Sequence, residues 1–290
     1  MHFKKISISL LIAVFLVSCT TTAIDKPDSK NPEKFSNISS LIPSWNFQNL
    51  ETKNYNENYF STFDFYLEEE QTLCHAVKID LSNPQLSISI YPDNSELKST
   101  TASSLAKNND IVINTTPWSQ KIPLISKKIP AGIIYADGTT YSKANKNYDA
   151  ICFYKTQKTD AISSDSSKTN YRAAIIAPQT EIKLTSNNFL PPNDPNSTIL
   201  FAIGGFWQIL KDGEKLSFKE ICDSRTAIGI SKDQKTLYIL IVEGEQKSRS
   251  KGLTYGQCSE IFTKFGAFNA IELDGGSSTT LYIHNKNVLS

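Results

Sequence analysis

The stretch "RTAIGISKDQKTLYILIVEG", residues 225–244, decides how this chain is to be read. Two apolar runs rich in β-branched residues flank a polar turn around Lys232–Lys235, the pattern of a β-hairpin. Shortly after it, Thr254 and Gln257 form a T-x-x-Q capping box. Cys258, Ile261, Phe262 and Phe265 then fall at i, i+3, i+4 and i+7, one apolar face of a helix. Gly266 supplies the stop, and "AFNAIEL" (267–273) resumes a strand. Hairpin, helix and strand in succession predict an α/β fold in the mixed, α+β-like sense. Antiparallel and mixed β-sheet forms its core, with a few helices, in one catalytic-type domain.

Upstream the pattern is also β-rich. "HAVKIDL" (75–81) and "LSISIY" (86–91) alternate on either side of Ser82-Asn83-Pro84, and the pair reads as a hairpin. "TTASSLAKNND" (100–110) suits a short helix, and "IVIN" (111–114) a buried strand. "AGIIYADGTTYS" (131–142) carries a hairpin turn at Asp137-Gly138. "AICFYK" (150–155) and "YRAAIIAP" (171–178) are strands separated by a Ser/Lys/Asp-rich stretch, 156–169. "STILFAIGGFWQILKDGEKL" (197–216) holds two strands, a break at Gly204-Gly205 and a turn at Asp212-Gly213.

The N-terminus reads differently. Lys4 and Lys5 precede an apolar run from Ile6 to Val17 broken only by Ser7 and Ser9, which is a leader's charged and apolar regions. Leu16-Val17-Ser18-Cys19 matches a bacterial lipobox, so residues 1–18 are expected to be a lipoprotein signal peptide and Cys19 the lipidated first residue. Residues 19–45 are polar and interrupted by Pro27, Pro32 and Pro43, a composition that reads as a disordered tether. The domain is then 46–290, on an exported lipoprotein held at the periplasmic face or the cell surface by an acyl anchor that does not span the membrane.

The 290 residues suffice for a substantial core, and a net charge of +1 provides no field for nucleic acid. Besides Cys19 there are Cys74, Cys152, Cys222 and Cys258, which admit three disulfide pairings or buried free thiols. No C-x-x-C, H-E-x-x-H or G-x-S-x-G motif is present. Nothing demands a cofactor. A carboxylate-lined site could take calcium, although no ligand spacing marks one.

The chemistry concentrates in "LDGGSSTT", residues 273–280. Asp274 stands at a strand end, where a carboxylate is held rigidly for acid/base work. Gly275 and Gly276 let backbone approach a ligand, and free amides there would form an anion nest to which Ser277 and Ser278 add hydroxyls. A plain polar turn is the alternative. Arg225 opens a strand and suits phosphate, although most single arginines make surface ion pairs. Glu243-Gly244 closes the hairpin. Gly205 precedes Phe206 and Trp207, which suit either a sugar-stacking wall or the core. His75 at a strand start is the commoner structural histidine.

These blocks resemble the phosphodiester glycosidase family from about His75 to Ile283. The similarity rests on "SRTAIGI", the acid-Gly pair of "IVEG", "GLT" at a helix start and "NAIELDGGSSTT", in order and at fitting spacing; "GGFWQILKDG" and "INTTPW" match less closely. The resemblance implies hydrolysis of a sugar-1-phosphodiester. It assigns Arg225 and the backbone of Gly275, Gly276, Ser277 and Ser278 to the phosphate, and Asp274 and Glu243 to the anomeric carbon. Asn114 goes to a sugar hydroxyl or acetamido group; Gly205, beside Phe206 and Trp207, is counted among the substrate- and phosphate-binding residues. Thr115-Thr116 stand where relatives carry glycine, Glu243 stands where many carry Asp, and relatives continue past Ile283 with a further strand. The implied partners are a glycan phosphodiester and, through the anchor, a membrane. A non-catalytic lipoprotein that binds glycan or glycan phosphate on the same scaffold fits the same residues.

Overall fold

The computed structural model describes the backbone of residues 14–19 and 47–49, and residues 59–91, 101–120, 128–136, 138–156, 171–177, 197–246 and 249–289. The hairpin of residues 225–244 lies at the centre of the largest sheet. Arg225–Ser231 pairs antiparallel with Thr236–Val242, Arg225 opposite Val242. On one side follow Ala267–Glu272, Gln208–Lys211 and Glu214–Lys215; on the other, Thr72–Asp80, Phe60–Leu67 and Phe47–Asn49. All eight strands run antiparallel to their neighbours.

"TLYILIV" lacks polar alternation because both faces of this sheet are covered. Ile239 and Ile241 point into one core with Val77, Ile79, Ile228 and Ile271. Leu240 and Val242 point into a second, against Cys258, Ile261, Phe262 and Phe265 of the helix Tyr255–Phe265. That helix has the expected capping box at Thr254 and ends at Gly266, whose φ of +90° is the left-handed conformation glycine tolerates. Its close seat on the sheet requires Gly229, where a Cβ would lie 2.5 Å from Phe262 Cδ1.

Two five-stranded sheets cover the opposite face and contribute to the first core. One contains Leu86–Ile90, Ile111–Asn114, Leu281–Ile283 and Lys286–Asn287. The other contains Ile134–Ala136, Thr139–Ser142, Ala150–Thr156, Tyr171–Ile176 and Ser197–Gly204. Trp118–Gln120 and Lys128–Pro130 make a separate pair, and Ala102–Ala106 is the expected short helix, capped by Thr101. Mixed architecture dominated by antiparallel sheet, with two α-helices among the described residues, agrees with the predicted class.

One pairing expectation differs from the structure. Thr72–Asp80 and Leu86–Ile90 are not a hairpin. The first pairs with Phe60–Leu67 and Thr236–Val242, the second belongs to another sheet, and the Ser82-Asn83-Pro84 turn carries the chain between them. Both edges of Thr72–Asp80 are already taken, so its sequence neighbour must pair elsewhere. Val14–Cys19, the end of the expected leader, is a strand pairing antiparallel with Leu86–Ile90 and Ile111–Asn114. An apolar run that suits a leader equally suits a central strand. Residues 1–13, most of the expected tether, Asp137 and nearly all of the Ser-rich stretch lie outside the described residues.

Candidate active site

Arg225 begins its strand, while Val242 and Glu272 end theirs, so residues 220–224, 243–246, 249–253 and 273–280 meet at one end of the large sheet. The Asp274 loop is laced to three elements there. Leu273 N donates to Thr226 O at 2.8 Å, Gly276 N to Ser224 O at 2.9 Å, and Asp274 N to Thr115 O at 2.8 Å. Gly276–Ser278 forms a 3-10 turn, in which Ser278 N donates to Gly275 O and Thr279 N to Gly276 O.

Asn114 locks the arrangement. Its side chain is buried; Nδ2 donates to Asp274 O at 2.7 Å, and Oδ1 accepts from Thr226 Oγ1 at 2.9 Å and Thr280 N at 3.0 Å. Through these bonds the Asn114 amide holds the loop in place. The open nest is reduced. The amides of Asp274, Gly276, Ser278, Thr279 and Thr280 all donate within the protein, and those of Gly275 and Ser277 take no part in these bonds.

Both glycines of the loop are sterically required. A Cβ on Gly275 would sit 2.7 Å from Ser224 O and 3.7 Å from Glu272 Oε1, and Gly276 has φ +58°. Gly205 also serves close approach, because a Cβ there would lie 2.6 Å from Glu272 O. Thr115 and Thr116 are buried. The Thr116 methyl faces Gly132, which crosses Gly204 so closely that a Cβ on Gly132 would be 2.9 Å from Gly204 Cα. Glycine at those neighbouring positions makes room for threonine here.

Arg225 is buried and fixed rather than solvated. Its Nε donates to Leu253 O at 3.0 Å, one terminal nitrogen donates to Ile221 O at 2.6 Å, and the guanidinium carbon lies 4.2 Å from the centroid of the Tyr255 ring. The register sets Glu272 opposite Ala227, two residues along from Arg225, and Arg225 Nε lies 3.9 Å from Glu272 Oε1. Neither carboxyl oxygen of Glu272 has a hydrogen-bond partner. Burial pushes its carboxyl up to about 8; Arg225 works against the rise and Asp223 adds to it. Burial thus favours the protonated form of Glu272, held beneath Gly275. Neither Glu272 nor Asp223 stands out from the sequence alone. The available signal was a carboxylate inside the apolar run "AIEL", directly before the loop.

Glu243 joins a second group. His75 Nε2 lies 3.0 Å from Glu243 Oε1 and His75 Nδ1 2.8 Å from Asp64 Oδ1, with all three side chains largely buried. Arg249 Nε is 3.9 Å from Glu243 Oε2. Burial lowers the His75 pKa, but hydrogen bonds to Asp64 and Glu243 outweigh it and the net shift is upward. By strand alternation Glu243 and Arg225 belong to opposite faces: Arg225 pairs with Val242, on the helix side, and Glu243 is the next residue. The site residues therefore share a sheet end but form two groups, Arg225–Glu272–Asp223 under the loop and Asp64–His75–Glu243–Arg249 beside it.

Among the described residues no three of His, Cys, Asp or Glu converge to hold a metal ion, so the calcium reading finds no assembled ligand set there. Cys74, Cys152, Cys222 and Cys258 are free thiols, all buried except Cys222.

The phosphodiester glycosidase family model matches residues 103–290. No curated protein matches the chain. Among solved structures, a hypothetical protein from Synechocystis superposes with TM-score 0.54 at 12% identity, over 81% of this chain and 60% of that one. The chain thus spans less than two thirds of that protein. The zebrafish N-acetylglucosamine-1-phosphodiester α-N-acetylglucosaminidase catalytic domain, auto-inhibited by its pro-peptide, gives TM-score 0.53 at 14% identity, over 86% and 84%. A protein of Burkholderia pseudomallei gives TM-score 0.53 at 11% identity, over 75% and 70%. At these identities the likeness is one of fold, whereas the family model covers well over half of the sequence and takes in the Asp274 loop. The chain belongs to the phosphodiester glycosidase family.

Proposed function

We propose that the protein is a hydrolase that cleaves the glycosidic bond of a sugar-1-phosphodiester. The bond from the anomeric carbon to the phosphate oxygen breaks, a water oxygen attaches to that carbon, and a phosphomonoester leaves. The observation that carries this reading is the Asp274-Gly275-Gly276 loop, fastened by Asn114 directly above Arg225 and Glu272 in a chain of this family. The name of the zebrafish relative supplies the substrate class to try first, an N-acetylglucosamine-1-phosphodiester.

The two groups divide the work. Asp274 and Glu243 provide carboxylates for the anomeric side. Burial favours neutral Glu272, which leaves the charge of Arg225 uncancelled, and the guanidinium presents it to the phosphate and stabilises the negative charge that builds on the leaving group. His75, held by Asp64, fixes the orientation of Glu243. On the cellular side, the leader ends at Ser18, Cys19 carries lipid, and the enzyme works on envelope or exogenous glycans at a membrane surface. Palmitate labelling that disappears in Cys19→Ala is the expected result for that part.

The activity is tested by release of free sugar and phosphomonoester from a GlcNAc-1-phosphodiester or a UDP-sugar. Asp274→Asn is expected to lower the rate about 100-fold or more, the typical size of a lost acid/base group. Glycan binding by wild type and Asp274→Asn alike, with no turnover in either, would instead favour a binding lipoprotein.

A further inference from the structure

Beside the loop lies an array of aromatic rings that the reaction does not use. Trp207 is 37% exposed, and the only other large apolar side chains as open among the described residues are Leu216 and Ile221. Phe206 stacks on its indole at 5.3 Å and 23°, and Tyr148 meets the indole edge-on at 5.7 Å. Phe218 and Tyr255 approach it at 6.3 and 5.9 Å. These four rings are half-buried. They hold the indole in one orientation while Trp207 itself stays open. The array ends at Arg225, whose guanidinium covers the Tyr255 ring.

Its position follows from backbone bonds. Phe206 N donates to Glu272 O at 2.7 Å, and Glu272 N donates to Trp207 O at 3.0 Å. Trp207 is thereby pinned to the strand that delivers Asp274 two residues later. Asp149, half-buried, borders the rings: its carboxylate accepts from Gln208 N at 2.7 Å, and its amide donates to Phe206 O at 3.0 Å. An open indole, with a carboxylate bonded to the backbone amide of the residue after it, suits one class of ligand. The C–H face of a pyranose stacks on the ring, and its hydroxyls are left to polar groups nearby. The same array leads through Tyr255 to a guanidinium suited to phosphate, so sugar and phosphate of one molecule fit side by side.

We infer that Trp207, backed by Phe206, Tyr148, Phe218 and Tyr255, is a carbohydrate-stacking platform that takes the sugar portion of a glycan phosphate. This rests on the reading of the Asp274 loop as the reacting site and extends it to a binding subsite. The experiment titrates the full chain with neutral tri-N-acetylglucosamine by calorimetry, for wild type, Trp207→Ala and Trp207→Phe, and measures turnover of a GlcNAc-1-phosphodiester in parallel. Thermal unfolding verifies that each variant is folded. Trp207→Ala is expected to weaken trisaccharide binding about tenfold or more, whereas Trp207→Phe keeps most of it. Where turnover occurs, Trp207→Ala raises KM more than it lowers kcat. Trisaccharide binding that Trp207→Ala leaves unchanged, or none in wild type, overturns the platform. Binding that depends on Trp207 in a chain with no turnover supports the platform and sinks the hydrolase reading. Turnover whose KM ignores Trp207 does the reverse. Vesicle binding removed by Trp207→Ala, with trisaccharide binding untouched, assigns the rings to lipid and overturns the sugar.

Discussion

Glu272 combines complete burial, two oxygens without partners and a guanidinium 3.9 Å away. Its folded pKa of about 8 lies above the ordinary carboxylate value. A raised folded pKa contributes stability that is fully present below the unfolded value and lost as pH rises through the folded one. Wild-type stability is therefore expected to fall between about pH 4.5 and pH 8, by about 1.4 kcal/mol for each tenfold gain in proton affinity that the folded environment gives the carboxyl. His75 acts with the same sign, its contribution being present below about pH 6.5 and lost above it as the raised folded pKa is passed. Glu272→Gln mimics the neutral acid. Denaturant unfolding across this range should show the fall between pH 4.5 and 6.5 abolished and the His75 portion retained. An unchanged profile would mean that Glu272 is ionised in the fold. Arg225 and Asp274 stand out in the sequence as side chains of types suited to phosphate and acid/base chemistry at recognisable strand ends, and the fold brings both to one end of the large sheet. Glu272 does not stand out, because its character comes from the burial that neighbouring strands impose. Asn114 stands out in the sequence, but its hold on the loop does not, because that depends on Thr226 and Thr280 more than a hundred positions away.

At the scale of elements, local signals were read correctly wherever a turn or cap sits within the element itself. Thr254 and Gln257 cap the helix. Asp212-Gly213, both at positive φ, turns Gln208–Lys211 into Glu214–Lys215. Pairing between elements was harder to read, as the Ser82-Asn83-Pro84 turn demonstrates: a turn fixes where a strand ends but not which strand will neighbour it. Glycines reveal the same division. A Cβ on Gly229 would meet Phe262 Cδ1 at 2.5 Å, and one on Gly275 would meet Ser224 O at 2.7 Å. Gly229→Ala strains the seat of the helix, and Gly275→Ala strains the loop. Each is expected to destabilise by about 1–3 kcal/mol, the usual cost of overpacking. Only Gly275→Ala should also depress turnover of sugar-1-phosphodiester at temperatures where both variants are folded. Equal activity in the two variants would remove the loop geometry from the mechanism.

Across the whole molecule, three sheets share one core, and Ile111–Asn114 links its packing to the site because Asn114 at its end holds the Asp274 loop. That strand has Val14–Cys19 on one side and Leu281–Ile283 on the other. The overall class was readable from periodicity, but the place of Val14–Cys19 in the sheet was not, since leader and buried strand draw on the same apolar residues. Cleavage before Cys19, as proposed for the lipoprotein, would withdraw Val14–Ser18, leaving Ile111–Asn114 with one unpaired edge and stripping Leu86–Ile90, the edge strand, of its partner among the described residues. Unpaired edges expose amides to solvent exchange. Hydrogen exchange by mass spectrometry should then show faster exchange in both strands for a chain beginning at Thr20 than for the uncleaved full chain. Arg225–Ser231 and Thr236–Val242, with both neighbours intact, should be unaffected. Through Asn114 the loosening should reach residues 274–280, giving the uncleaved chain the better-ordered loop. Equal protection of Leu86–Ile90 and Ile111–Asn114 in the two chains would mean that the sheet closes without Val14–Cys19, and that processing leaves the site undisturbed.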